Sequence, residues 1–282
     1  MRFSLTRDNN CIPVKVGLSP YIRLENDTSC SILDPLSEVP NYLNINKTAT
    51  IILDSIDGLK TAEEIAEIYR SRYSHVKTEV LDKDLEQLIN KLWRKGIITW
   101  KEGKYPMNDE FQNVINENEV LCGAFENNFV EIKEFINKVK TSNNFYKYEN
   151  PYYSNTEISD VQLRKSLFEM TTIYIFKMDK TGDHWTIKGL FVGTVMPGVS
   201  TCLNIGMLYA KENDVKTILS NVAELAKKMS VVDLTKIRIY VMENDEILKK
   251  NITECIGWKT EAVLEKEQNQ KRIISYVKYL DE

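Results

Sequence analysis

The hydrophobic positions change period several times along the chain. Residues 12–44 read as short strands in which they alternate. "YIRL" at 21–24, "CSIL" at 30–33 and a third run over 39–43 read as short strands, with Asn26-Asp27-Thr28 as turn chemistry between the first two. Pro40 limits the third run to a sheet edge or a strand start, because proline cannot donate to a ladder. From Asn46 the period is helical. A first helix covers about 46–55 and stops at Asp57-Gly58. Thr61 followed by Glu64 forms a capping box, and Ile65, Ile68 and Tyr69 share one face of the helix it opens. A third helix starts near Asp82, carries Leu85, Leu88, Ile89 and Leu92 at helical spacing, and ends at Lys95-Gly96. Ile97 to Trp100 then closes as a short strand.

Residues 101–118 are polar and read as a linker, which divides the chain into halves at 1–108 and 109–282. The second half alternates between the two periods. Strands are predicted over 119–125, 172–178, 185–195, 201–210 and 236–241, with a final hairpin pairing 259–266 with 272–280. Helices are predicted over 128–140, 161–170, 214–231 and 245–256, the last ending at Gly257. The aromatic stretch Phe145 to Tyr153 reads as a loop. The fold class is therefore α+β followed by α/β: helices with a small antiparallel sheet, then a mixed sheet flanked by helices.

Charge and composition narrow the chemistry. A net charge of −4 argues against a nucleic-acid partner, which calls for a basic surface. Two histidines and five cysteines without a CxxC pair leave no metal site to name. No apolar run approaches the roughly 20 residues of a membrane helix. Met1 to Thr6 is too short and polar for a signal peptide, so a cytoplasmic protein with reduced thiols is expected, with no membrane partner. His184 reads as a surface residue and Cys202 as a buried structural thiol.

Strands followed by three helices and a closing strand form a winged-helix-like arrangement. "LNINKTATIILDSIDGLKTAEEIAEIY", with a further helix and "LWRKGIIT", resembles the PqqD-like family of RiPP recognition elements, over roughly residues 11–101. Those domains bind the leader segment of a ribosomally made precursor peptide, which adds a strand at a sheet edge beside the third helix. The mode suits the chemistry of an edge, whose unpaired N–H and C=O groups a peptide can satisfy. The resemblance implies leader contacts at Val39, Asn41, Tyr42 and Leu43 of the edge and at Lys83, Gln87, Asn90 and Arg94 of the helix. Two of those four helix residues are basic, which would favour an acidic leader. Asp82, Asp84 and Glu86 on the same helix disfavour a DNA groove.

The order βααβββαβαββ and the segment "IRIYVMEND…ECIGWKTEAVLEKE" resemble the GNAT acyltransferases over about 119–280. That resemblance implies an acyl donor, acyl-CoA or an acyl carrier protein, held along Ile205, Gly206, Met207, Leu208 and Asn244. The tyrosine that members often place four residues before the Gly-aromatic pair is Thr253 here, so Tyr209 and Glu243, near in the topology, are the acid–base candidates, and the resemblance sets Tyr148, Tyr152 and Tyr153 beside the acceptor groove. The sequence departs from the family at "LYAKENDVKT", 208–217, where members place a glycine-rich phosphate cradle. Glu212 and Asp214 stand there instead, at the positive end of a helix, and would repel phosphate. Asn213 or Asp214 is expected to cap that helix.

Together the two halves read as a RiPP maturation protein: one docks the leader, the other acylates the core or presents it. The alternative is an inactive scaffold for a separate peptide-modifying enzyme. As an enzyme it would be an N-acyltransferase with an altered donor site.

Overall fold

Asn46 ends a strand and begins a helix, and both roles follow from its short amide side chain. Its Oδ1 accepts the backbone N–H of Ala49 at 2.7 Å, which satisfies one of the orphan donors of the first turn. The computed structural model of the chain describes residues 5–16, 21–26, 29–33, 42–101, 111–152, 159–169, 171–181, 184–196, 198–265, 267 and 271–280. The chain divides into two units, one of residues 1–110 with 125–127, the other of 111–124 with 128–282.

The first unit contains α1 (Leu5–Asp8), β1 (Pro13–Lys15), β2 (Tyr21–Asn26), β3 (Ser29–Leu33) and β4 (Tyr42–Asn46). Then come α2 (Lys47–Ser55), α3 (Ala62–Arg72), α4 (Thr78–Arg94) and β5 (Ile98–Trp100). β2, β3 and β4 form an antiparallel sheet in that order, and β1 pairs with β5. The predicted capping box is present: Thr61 Oγ1 accepts from Glu64 N at 3.2 Å, and Glu64 Oε2 accepts from Thr61 N at 2.7 Å. α4 closes as a Schellman motif. Ile97 N donates to Leu92 O and Gly96 N to Trp93 O, both at 2.9 Å, with Gly96 at φ +66°. Leu53, Ile56, Ile65, Ala66, Leu85, Ile89, Leu92 and Ile98 are buried between these elements.

Some boundaries move. The third strand runs over 42–46 rather than 39–43, and Val39 and Asn41 lie outside the described residues. α4 starts at Thr78, a turn before Asp82, because Leu81 extends its buried stripe. α1 and the 112–116 strand were not anticipated, being short or polar, and a strand at 146–149 stands inside the stretch read as a loop, because it pairs with Met207–Ala210.

The second unit contains β6 (Gln112–Asn116), β7 (Glu119–Ala124), α5 (Phe129–Thr141), β8 (Tyr146–Glu149) and α6 (Asp160–Glu169). β9 (Thr172–Thr181), β10 (His184–Thr194), β11 (Cys202–Ala210), α7 (Glu212–Met229) and β12 (Lys236–Met242) follow, then α8 (Glu246–Glu254), β13 (Trp258–Leu264) and β14 (Ile273–Tyr279). The sheet order is β13-β14-β12-β11-β10-β9-β7-β6, with β8 laid against β11. β11 and β12 run parallel and pair only over Cys202–Asn204 and Lys236–Arg238. α7 buries Val215, Ile218, Leu219, Val222, Leu225, Ala226 and Met229 against the sheet. Each large aliphatic side chain so buried contributes about 1.5–3 kcal/mol over an exposed one. Phe129, Ile132, Phe135, Ile136 and Val139 of α5 do the same with Leu163 and Leu167 of α6.

Candidate functional site

β4 pairs with β3 on one side, and among the described residues no strand lies on its other side. Leu43 and Ile45 are buried while Asn44 and Asn46 are exposed, so the strand keeps a strict two-residue alternation. Beside it is a cleft of about 490 Å³. β4 contributes Asn44, Ile45 and Asn46; α2 contributes Thr48, Ala49 and Ile52; the end of α3 contributes Tyr69 and Tyr73. Val76 and, from α4, Leu81, Asp84, Gln87, Leu88 and Lys91 complete it. The floor is apolar, with Ile52, Tyr69 and Leu81 buried. Tyr69 and Tyr73 meet edge to face at 5.2 Å and give one wall. Burial holds the Tyr69 hydroxyl above its ordinary pKa, so it stays a proton donor. One carboxylate and one ammonium stand on the rim, which makes the lining neutral rather than basic.

Of the helix residues singled out from sequence, Gln87 lines this cleft; Lys83, Asn90 and Arg94 do not. Asn90 is buried and donates its Nδ2–H to Glu86 O at 2.7 Å, one turn back. The Arg94 guanidinium lies over the Phe125 ring at 4.9 Å. The flank that faces the cleft is Asp84, Gln87, Leu88 and Lys91, spaced three and four apart.

In the second unit the named residues sit along the divergence of β11 and β12. Ile205 and Leu208 are fully buried, and Asn244 is exposed in the turn after β12. Met207, Leu208, Tyr209 and Ala210 pair with Glu149, Tyr148, Lys147 and Tyr146 of β8. The Tyr209 hydroxyl donates to Glu149, and burial first, then this carboxylate, drives its pKa well above the ordinary value. Glu243 is elsewhere engaged: it accepts from Arg272 Nη1 at 3.1 Å. Tyr148 is buried, Tyr152 is half-exposed and edge-on to Tyr240 at 5.0 Å, and Tyr153 lies outside the described residues. Cys202 is buried and its thiol is pushed up by that burial. Sequence reasoning missed the anchoring roles of Tyr146, Glu149 and Asn150; the alternation Tyr-Lys-Tyr-Glu at 146–149 was the available signal.

At the start of α7 neither Asn213 nor Asp214 caps. The helix begins at Glu212, with Lys211 in the cap position and no side-chain cap bond. Asp214 instead reaches Lys177 Nζ at 3.0 Å, which also contacts Glu119 at 2.7 Å and Asp179. Among the described residues no cluster of three or more potential metal ligands occurs.

Residues 30–98 match the family model described as coenzyme PQQ synthesis protein D (PqqD). That match lies within the first unit, and the second unit is a mixed sheet flanked by helices. Among solved structures the chain is similar to the spermidine N-acetyltransferase of Vibrio cholerae in complex with CoA and spermine, at 13% identity and a TM-score of 0.43, covering 58% of this chain and 96% of that one. It is similar to a ribosomal-protein-S5-alanine acetyltransferase from Vibrio fischeri at 13% identity and a TM-score of 0.45, over 61% and 97% of the two chains. A GNAT-family acetyltransferase from Streptococcus pneumoniae aligns at 12% identity and a TM-score of 0.44, over 57% and 99%. No curated protein matches the chain, and no helix among the described residues is long and apolar enough to cross a membrane.

Proposed function

We propose that the chain is a maturation protein for ribosomally made peptides. The first unit holds a precursor's leader segment, and the second presents the attached core to a separate modifying enzyme. The observation that carries this reading is the cleft beside the edge of β4 that no described strand covers. An extended leader would complete the edge with main-chain hydrogen bonds and seat an apolar side chain on Ile52, Tyr69 and Leu81, with flanking polar groups on Asn44 and Gln87. The lining is neutral, so the leader segment that enters is apolar rather than strongly acidic. One apolar side chain buried there contributes about 1.5–3 kcal/mol. Tethering then raises the local concentration of the core without strong core contacts.

N-acyl transfer by the second unit is the other reading, and the hydrogen-bonded Tyr209–Glu149 pair on the central strand favours it. Glu212 and Asp214 at the start of α7 weigh against a phosphate-bearing donor. The test pans a displayed library of random peptides against the full chain and titrates the selected peptides into isotope-labelled protein. Shifts should concentrate at Asn44–Asn46 and Asp84–Lys91, and Ala49→Trp, which fills the cleft, should abolish them. Selected peptides that bind the Ala49→Trp variant as well as the wild type would remove the basis of the reading. Intact-mass analysis of a bound peptide with acetyl-CoA separates presentation from acylation.

A further inference from the structure

Parallel strands that part at their C-terminal ends leave a crevice, and such crevices are where open sheets take ligands. β11 and β12 part after Asn204 and Arg238. From there the backbone groups on that edge of β11 would be orphaned unless something extended paired with them. We propose that Tyr146–Asn150 is a built-in occupant of this crevice, and that the second unit is thereby closed to an extended acyl donor along β11.

The occupant is anchored at nearly every residue. Asn150 N donates to Gly206 O at 2.8 Å, and its fully buried side chain donates to Ile205 O at 3.0 Å, at the point where the β12 pairing stops. β8 then continues the ladder over Met207–Ala210. Tyr148 spans the gap: its ring is 4% exposed and its hydroxyl donates to Tyr240 O of β12 at 2.9 Å. Tyr146 donates to Asp245 at 2.5 Å, the residue whose other oxygen caps α8 through Leu248 N. Glu149 accepts from Tyr209. Both diverging strands and the α8 cap are therefore tied to one segment, and admitting another extended molecule requires all of these bonds to open. A second observation points the same way. Around Lys177 three carboxylates face one ammonium, so the start of α7 keeps an excess of negative charge, unsuited to a donor carrying phosphates.

The experiment uses the full chain, with acetyl-CoA as the probe. Hydrogen exchange read by mass spectrometry should show the 146–150 amides as protected as those of β11. Acetyl-CoA at about 1 mM should produce neither saturable heat nor altered exchange along 203–210. Asn150→Ala keeps the backbone bond to Gly206 O but removes the side-chain bonds to Ile205 O and from Tyr152 N, and should speed exchange at 146–150 by about tenfold, while amides of β14 stay unchanged. Should that variant fail to fold, Tyr146→Phe, which removes only the bond to Asp245, is read the same way. The proposal is overturned if 146–150 exchanges like an exposed loop, if the variants leave its protection untouched, or if acetyl-CoA binds the wild type saturably and protects β11. Peptide docking at the first unit is read from different residues, so either result stands apart from the other.

Discussion

Replacing Lys177 by Met isolates the electrostatic knot at the start of α7. The lysine side chain is 1% exposed, whereas Glu119, Asp179 and Asp214 are 30, 32 and 17% exposed. The burial is thus one-sided: the ammonium is dry and its partners are half wet. Burial alone would lower the lysine pKa, but hydrogen bonds to Asp179, Glu119 and Asp214 outweigh it and leave it above the ordinary value. Removing the ammonium leaves three carboxylates repelling each other at one helix start, although water can still reach them. The loss should therefore fall at the low end for breaking a buried pair, about 3 kcal/mol. Native-state hydrogen exchange at Ile173–Phe176 measures it, since slow core amides report opening of the whole unit. They should exchange about 100-fold faster at pH 7. The sign of the pH dependence follows from the shifts. Hydrogen bonding from Lys177 holds the Glu119 carboxyl below its ordinary value of 4.5. Its share of stability is present above that value and is lost as the pH falls through the folded one. The gap between wild type and variant should narrow below pH 4.5. At the alkaline end the lysine's share is complete below 10.5 and declines as the pH rises beyond it. A change under threefold at pH 7, or a gap that persists in acid, refutes this account of the cluster.

Further changes test other parts of the fold. Gly96→Ala places a side chain at φ +66° with its Cβ 2.5 Å from Glu126 Cγ, and should cost roughly 2 kcal/mol, seen as a lower urea midpoint for the first unit; an unchanged midpoint contradicts the closure of α4 described above. Thr61→Ala removes one half of the capping box and should cost about 1 kcal/mol by the same measurement. Arg238, then Lys236 and Ser275, hold the Glu261 carboxyl near a pKa of about 2. Discounted for solvent screening, the gain is about 1 kcal/mol; it is present above 4.5 and fades as the pH falls toward 2, so Glu261→Gln should flatten the acid limb of stability between those values and leave pH 7 lower.

What could be read from the sequence was whatever a single element decides for itself. The Thr61–Glu64 box, the Gly96 stop and the helical spacing of apolar residues in α7 are local patterns, and each element formed close to where its pattern lay. Edges were harder. β6 is "QNVIN", whose amides hide its alternation, and it exists because β7 offers it a partner. β8 is four residues with a clear alternation, yet only the parting of β11 and β12 gives it a place. The helix side of the cleft shows the same limit. The buried stripe of α4, Leu81, Leu85, Ile89 and Leu92, has a polar flank on either side. Sequence gives both flanks equally, and the position of β4 decides which one is opposed.

Sheet edges also discriminate where a foreign chain can bind, because most of those described here are blunted in recognisable ways. β2 carries Arg23 and Glu25 and a bulge between Leu24 and Asn26. β1 is three residues with Pro13 and Lys15, and β5 is three residues long. In the second unit β6 is bulged between Val114 and Asn116, and β13 is bulged between Thr260 and Ala262 and carries Lys259 and Glu261. The inner edge exposed by the parting of β11 is covered by β8. β4 has none of these devices: Tyr42 to Asn46 bears no charge, no proline and no bulge against β3. Among the described residues no strand covers the outer edge of β4, and on the reading proposed above an added chain would take that edge and set a side chain in the apolar cleft beside it. Adding the missing protection should therefore separate the two roles of the strand. Asn44→Lys sets a charge on the exposed face of β4 while leaving Leu43 and Ile45 in the core. It should leave the urea midpoint within about 0.5 kcal/mol of wild type and weaken peptide capture about tenfold, by placing an ammonium that must be desolvated as the added strand docks. Equal capture by the variant and the wild type would mean that peptides do not approach along this edge.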